Sequence, residues 1–527
     1  MKRRKFIKYT VPTIALPSFL GGFNFKALAG GPILEALQRG TCDPDRILVL
    51  IQLNGGNDGL NMVLPLDQYS NLALARPNIL IPESKALKLA HNPATGLHPA
   101  MSAIQNLHNE GRGKILQAVS YPAPNFSHFR ATDIWLTGSD SNKLETTGWL
   151  GRYLEKENPG YPEGYPNAAN PDPLAIQIGS VLSPALQGNV VNMGMSITDP
   201  SSFYNLITGS ADPTPNTPYG HELTYIRLVA QQTQQYAASV KNAATVGSNL
   251  SSLYPTSGNT LSDQLKIVAK LISGGLKTKV YMVSLGGFDT HSNQVQAGTG
   301  NETGTHATLL GRLNDAINAF TDDLKKMGKG DKVLTMTFSE FGRRIRSNGS
   351  TGTDHGEAAP LFMFGPNLIP GMLGNNPTIK SSHAVGDNVP MQIDFRAIYT
   401  TILKDWFCVE GSELVDIMLK TFNTLPIFNT STATEETKAE LEHELLAQNY
   451  PNPFADNTKI RFKSQGEKVY LVIHDSIGRE ISVLTNQYYT TGTHELDFDT
   501  TNLATGVYYC TMISGNYKKV IPMLKAR

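Results

Sequence analysis

Between residue 47 and about residue 428, short apolar runs alternate with stretches of helical periodicity. Residues 47–53 (Ile-Leu-Val-Leu-Ile-Gln-Leu), 114–120, 279–285 and 333–338 are four such runs, each closed by a cluster of Gly, Asn, Asp, Ser or His. Runs of this length alternating with helices predict an α/β domain built on a largely parallel sheet. Residues 219–235 and 305–326 carry helical spacing. Residues 160–173, rich in Pro, Gly and Asn, predict a surface loop. In open α/β sheets ligands bind beyond the carboxyl ends of the strands, so the polar clusters there are where chemistry is expected.

The texture then changes. Residues 429–447 are polar and Glu-rich, a linker with room for one helix over 435–446. Beyond it, 458–462, 469–474, 480–484, 494–498 and 507–513 are short, partly alternating runs, separated by turns such as Gly478, Thr491-Gly492 and Ser514-Gly515. Close, regular spacing of this kind predicts a small all-β sandwich over 448–527.

The first residues follow neither pattern. Met1-Lys2-Arg3-Arg4-Lys5 is a basic start, an apolar stretch follows over 11–23, and Ala27-Leu28-Ala29 is a small-residue cleavage site. Together these predict an export signal over 1–29. The Arg3-Arg4 pair resembles a twin-arginine signal, which carries folded proteins; the general secretory route also tolerates such a pair. A total of 527 residues exceeds one core, and the main α/β domain is expected over 41–428. Lys and Arg total 45 and so do Asp and Glu, which points away from nucleic acid as a partner. No later segment has the apolar length of a transmembrane span. Cys42, Cys408 and Cys510 form no metal knuckle and read as structural.

Five polar clusters mark the main domain. Asn54-Gly55-Gly56-Asn57-Asp58-Gly59 ends the first run, where glycines admit a close backbone approach and Asn and Asp offer oxygen ligands. The second holds Asn125, Ser127, His128, Arg130, Thr132 and Asp133. Ser127 reads as a nucleophile with Arg130 stabilising an anionic transition state, or as the N-cap of the next helix, and the two readings are compatible. His128 either contacts substrate, caps that helix or touches the sheet. Gly286-Gly287-Phe288-Asp289-Thr290-His291 suits a metal taking mixed oxygen and nitrogen ligands. Ser339-Glu340-Phe341-Gly342-Arg343 and Thr353-Asp354-His355-Gly356 complete the set. Together they can hold a divalent cation and an anionic group.

These motifs carry a resemblance. Leu-Asn-Gly-Gly-Asn-Asp-Gly, Ser-His-Phe-Arg, Gly-Gly-Phe-Asp-Thr-His, Phe-Ser-Glu-Phe-Gly-Arg and Thr-Asp-His-Gly, in that order over about 46–407, resemble the DUF1501 family. That family is related to the alkaline phosphatase and sulfatase superfamily, which implies an alkaline-phosphatase-like, mostly parallel sheet flanked by helices. It also implies metal-dependent hydrolysis of phosphate or sulfate esters. On that resemblance Ser127 stands near the nucleophile position, with Thr132 as a second hydroxyl and Arg130 beside them. Asn54, Asp289, His291, Glu340 and His355 stand as metal ligands. Asp58 and Asp354 are carboxylates that can compensate as ligands, and Asn57, His128 and Arg343 are expected to touch substrate. The implied cofactor is a divalent metal: Zn, Mn, Ca or Mg. Two positions depart from the superfamily pattern. Asn54 is neutral where a carboxylate is expected, and Phe341 cannot ligate, so one ion or none is also open.

The tail resembles a type IX secretion sorting domain of Bacteroidota, through Asn449-Tyr450-Pro451-Asn452-Pro453-Phe454, Asp475–Glu480, Gly492-Thr493-His494 and Thr505-Gly506-Val507-Tyr508. It implies delivery to the cell surface or medium, with export and type IX machinery as partners. Two functions are expected to compete: a hydrolase of anionic esters, and a binding or assembly protein, for instance one handling a surface polysaccharide, that keeps the fold without the chemistry.

Overall fold

The apolar run that opens the main domain becomes β1 (Ile47–Asn54), near the middle of a nine-stranded sheet. In the computed structural model, residues 43–200, 235–429 and 446–526 are described, apart from 297, 465, 477, 491, 515 and 516. The export signal at 1–29, Cys42, nearly all of the helix expected at 219–235 and most of the linker lie outside these residues. The chain divides into two units, up to Phe428 and from Asn429 onward.

After β1 come β2 (Val63–Pro65), β3 (Leu87–Leu89) and β4 (Asn92–Leu97), which form a small separate sheet. Then follow β5 (Gly113–Ser120), β6 (Ala175–Ile178), β7 (Met195–Ile197), β8 (Val280–Gly286) and β9 (Val333–Phe338). The hairpin β10 (Arg343–Ser347) and β11 (Thr353–His355) precedes β12 (Ala359–Phe364), β13 (Met372–Leu373) and β14 (Ile393–Asp394). The main sheet runs β13-β5-β12-β9-β1-β8-β6-β7, with β14 also paired to β5. All neighbours are parallel except β12, which is antiparallel to both β5 and β9. The four runs read from the sequence are β1, β5, β8 and β9, all in this mostly parallel sheet flanked by helices.

Successive side chains of a strand face opposite ways, and both faces here are covered. Val49, Ile51 and Leu53 of β1 pack into one core with the helices Ser102–Asn109, Thr260–Ser273 and Thr305–Lys326. Leu48 and Leu50 pack into the other, with the helices His128–Thr137, Trp149–Glu157, Phe395–Thr401 and Gly411–Met418. There Trp149 stacks on Tyr399 at 4.1 Å and Trp135 on Phe395 at 4.3 Å. Each buried large apolar side chain contributes roughly 1.5–3 kcal/mol, so the strands form a stiff platform. The reversal of β12 places its first residue, Ala359, opposite Val119 near the carboxyl end of β5. The hairpin that precedes it therefore lies at the sheet edge where β1, β5, β8 and β9 end.

The second unit has β15 (Asn457–Ser464), β16 (Lys468–Asp475), β17 (Glu480–Tyr488), β18 (Gly492–Asp499), β19 (Gly506–Ser514) and β20 (Tyr517–Lys525). β15 pairs with β18, and β17-β16-β19-β20 form an antiparallel sheet of four. Leu446, Phe454, Phe462, Leu471, Cys510 and Met523 are among the side chains of their shared core. The sequence pattern predicts five of these strands and misses β20. Cys510 is a free, buried thiol, whereas Cys408 is disulfide-bonded.

Candidate functional site

Beyond the carboxyl ends of the strands, chain segments far apart in sequence converge. β1 ends at Asn54 and turns through Gly55 and Gly56, both with positive φ (124° and 75°). A Cβ on Gly55 would lie 2.3 Å from the backbone nitrogen of Asp289, and one on Gly56 2.3 Å from the Phe341 ring. Glycine is thus required by the space as well as by the backbone angle. Asp289 and His291 follow β8, Glu340 follows β9, His355 closes β11, and His128 opens the helix after β5.

Three imidazoles in this cluster share one arrangement. His128 has Nδ1 2.8 Å from Glu340 Oε1, and its Nε2 is 3.5 Å from Asp289 Oδ2. His355 has Nδ1 2.8 Å from the Phe126 carbonyl, and its Nε2 is 3.4 Å from Asp289 Oδ1. His291 has Nδ1 3.3 Å from Asp354 Oδ1, and its Nε2 is 3.2 Å from Asp289 Oδ1 and 2.9 Å from His355 Nε2. Each ring has an oxygen acceptor behind Nδ1 and turns Nε2 toward the Asp289 carboxylate. Ligating histidines are held this way: the outer N–H donates to a carboxylate or carbonyl, which fixes the tautomer and leaves the other nitrogen's lone pair forward.

With Nδ1–H donated backwards, His291 and His355 face each other with two lone pairs at 2.9 Å, beside a carboxylate oxygen. That is repulsive unless a proton or a cation lies among them. Tetrahedral Zn–N bonds of about 2.0–2.1 Å put neighbouring donor atoms roughly 3.3 Å apart, and the contacts here run from 2.9 to 3.5 Å. Ligand atoms of His128, Asp289 and His355 lie within 4.8 Å of one another, a group that could hold a metal ion. The charge states suit one. Burial raises the pKa of Asp289, but the hydrogen bond and charge of Arg343, with His291 and His128, bring it below the usual carboxylate range. Burial lowers the pKa of His355, with Arg343 and His128 adding to it against the Phe126 and Asp289 hydrogen bonds, so that ring is neutral near pH 7. Asp354 is lowered first by its hydrogen bond from Asn348 and then by His291.

Several expected roles change. Glu340, expected as a ligand, is buried and engaged: Oε1 accepts from Gly55 N and faces His128, and Oε2 accepts from Ser339 Oγ. His128, expected as a substrate contact, instead faces the cluster. Asp354 stands behind His291 as Glu340 stands behind His128. Asp58, expected as a ligand, is fully buried in an ion pair with Arg76 (2.7 Å) and accepts from Gln294 Nε2. Asn57, expected to touch substrate, is buried and bonded to His306 and Met62. Arg343, also expected to touch substrate, is buried and donates to the carbonyls of Gly55, Gly56, Phe288 and Thr353 and to Asp289. Its planar fork is used up holding Asp289 and the glycine turn.

Arg130 donates to Asp133 and to the carbonyls of Asp140, Ser141 and Lys143, so it braces that loop. Among the described residues, no hydrogen bond joins Thr132 to the cluster. The Asn54 side chain makes none either, although its carbonyl accepts from Phe288 N. Ser127 is at the N-cap position, but its side chain makes no cap bond; its hydroxyl is exposed, while its N–H donates to Asn125 Oδ1. Phe341 stacks obliquely on His128 and His355, 4.9 and 4.5 Å between centroids, and so walls the imidazoles where a ligand was expected. The sequence reading missed the Phe126 carbonyl, Asn348 and Gln294. Gln294 bonds Asp58, Thr290 and Thr353 at once, and Asn348 bonds both Asp354 and the His291 carbonyl. None of the three falls in a recognisable motif.

A family model described as "Protein of unknown function (DUF1501)" matches residues 275–413, the segment holding Asp289, His291, Glu340 and His355. The main unit carries this DUF1501 match over its strands β8 to β12 and the segment that follows. A second model, "Secretion system C-terminal sorting domain", matches residues 448–524. The sorting domain marks the chain as secreted or surface-borne and implies type IX secretion machinery. No curated protein matches the sequence. Among solved structures, the chain is similar to PorZ, a surface component of the type IX secretion system of Porphyromonas gingivalis, at 20% identity and a TM-score of 0.13. That match covers 19% of this chain and only 14% of PorZ. It is similar to an alkaline phosphatase superfamily protein of Vibrio parahaemolyticus at 10% identity, covering 92% of this chain and 82% of that one, with a TM-score of 0.31. The PsFucS1 sulfatase of a Pseudoalteromonas species is 12% identical over 90% of this chain and 87% of its own, with a TM-score of 0.33. At such scores nothing about the site follows from these likenesses. Among the described residues, no helix is long and apolar enough to cross a membrane.

Proposed function

We propose that the DUF1501 unit is a metal-dependent hydrolase of phosphate or sulfate esters that works outside the cell. The observation that carries this reading is the convergence of three Nδ1-anchored imidazoles on the Asp289 carboxylate. His128, His355 and Asp289 would hold the ion, with His291 beside them; nitrogen donors outnumber carboxylates, which favours Zn over Mn, Ca or Mg. A bound divalent cation supplies Lewis-acid polarisation of an ester oxygen. The chain's own residues do the rest. Arg343 fixes the Asp289 carboxylate, Glu340 and Asp354 fix the rings of His128 and His291, and Phe341 excludes water from one side of the imidazoles. Ser127, exposed and next in sequence to His128, is the attacking hydroxyl we favour over Thr132. Phe129 is 91% exposed one residue further on, an apolar surface for the body of the ester.

The test is turnover of an aryl phosphate and an aryl sulfate by purified full-length chain supplied with Zn or Mn. Cleavage is expected, with loss of about 10²-fold or more in Ser127→Ala and His355→Ala. No turnover across both ester classes, with the metal bound, would overturn it. One observation favours a second reading, metal-dependent binding without hydrolysis. Arg130 and Arg343, the two guanidinium groups expected to meet an anion, are both spent on the protein itself. Under that reading a phosphate or sulfate ester binds the metal-loaded chain but is recovered intact.

A further inference from the structure

In the sorting domain one sheet obeys the usual rule for antiparallel sheets, apolar inside and polar outside, and the other does not. The outward side of β15 and β18 is charged: Lys459 and Arg461 pair with Glu495, and Lys459 also with Asp497. The four-stranded sheet buries Leu471, Ile473, Cys510, Met512, Ile521 and Met523 on its inner side. Its outer side carries apolar residues too. Val483, Val507, Tyr509, Ile513, Val520 and Leu524 are each between 37% and 48% exposed.

These six form one surface. Val507 is paired with Leu524, Tyr509 with Pro522 and Thr511 with Val520 across β19 and β20. Tyr470, Val472 and His474 of β16 lie opposite Ile513, Thr511 and Tyr509, and Val472 lies opposite Val483. Directly opposed residues have Cβ atoms about 4.5–5.5 Å apart, so the side chains touch in rows. The six expose roughly 500 Å² together, the size of an apolar patch that is often functional in a monomer. A stable complex needs about 800 Å² from each partner. The patch is therefore too small for a permanent dimer and suits a docking event that ends in release, which transport of cargo requires. Charged positions lie at the margins of these rows: Lys518 is paired with Ile513, Glu480 with His474 and Lys468 with Tyr488.

We propose that this outer face of β16, β17, β19 and β20 is the surface by which the type IX machinery reads the domain. The partner it fits is a protein component presenting an apolar patch. The full-length chain, expressed in a type IX-competent host, tests this. One variant is Tyr509→Lys; another combines Val507→Thr, Ile513→Thr and Val520→Thr, which keeps strand propensity while removing the apolar surface. Because all four side chains are exposed, both variants are expected to keep the melting temperature of the parent. Both are expected to lower the amount of chain at the cell surface and in the medium by about tenfold or more, with periplasmic accumulation. Asp497→Lys, on the charged sheet, is expected to be exported normally. Wild-type export of the threonine variant, or an equal block by Asp497→Lys, overturns the proposal. So does a wild-type dimer that the threonine variant converts to monomer, because the face would then belong to a second copy.

Discussion

His128, His291 and His355 differ less in what they face than in what stands behind them: Glu340, Asp354 and a backbone carbonyl. Oxygen behind a ligating ring orients it and raises its basicity, and removing such a group typically costs 10–100-fold in metal affinity. Glu340→Gln is therefore expected to weaken metal binding by about 10–100-fold, measured by competition with a chelator, although Glu340 reaches no ion itself. Unchanged affinity would put Glu340 outside the account. Residue types were legible in the sequence, because Asp, Glu and His recur where strands end. Their roles were not, because spacing does not say which ring nitrogen faces inward. Hence His128 and Glu340 exchange places relative to expectation, and Arg343 turns out to hold the protein's own carbonyls.

At the scale of elements, the site depends on fastening the glycine turn after β1 to the hairpin of β10 and β11. Arg76 does much of this: it pairs with Asp58 and donates to the carbonyls of Arg344 and Ile345. Both members of the pair are fully buried. Breaking a buried pair from one side leaves an uncompensated charge, at a cost of about 3–5 kcal/mol. Arg76→Met is expected to destabilise the main unit by about that much in denaturant titration, and a change within error would contradict the clamp. The strands β1, β5, β8 and β9 were readable as apolar runs because they are buried on both faces. The reversal of β12 was not, since strand direction leaves no mark on an apolar run such as Ala359–Phe364. β20 was missed because Lys518, Lys519 and Pro522 interrupt its apolar residues, which suits an outer strand but hides the pattern.

For the molecule as a whole, two buried histidines behind the site tie stability to pH. Burial, with the charge of His306 adding to it, holds His98 at about 3, and burial, with Arg76 and Arg343 adding to it, holds His306 at about 4; both fall below the 6.5 of an unburied ring despite the opposing pull of Asp58. Below pH 6.5 the unfolded chain binds protons that the folded chain refuses, so stability falls as pH drops. The contribution is complete above pH 6.5. For His306 it is spent near pH 4, at about 1.4 kcal/mol for each pH unit per group. Denaturant titrations at pH 7.5 and 5 are expected to show this loss, and His306→Gln to reduce it; equal stability at both would contradict it. The change of texture near residue 430 made two units legible in the sequence, and the two family matches fall one to each. The candidate metal site was legible only as scattered polar clusters, because its residues meet only once β1, β5, β8, β9 and the hairpin are brought together. Elemental analysis of the purified full-length chain tests that centre most directly. About one Zn ion per chain is expected, absent from His355→Ala and Asp289→Asn. A chain that takes up no divalent ion, or that binds one equally well in both variants, would contradict it.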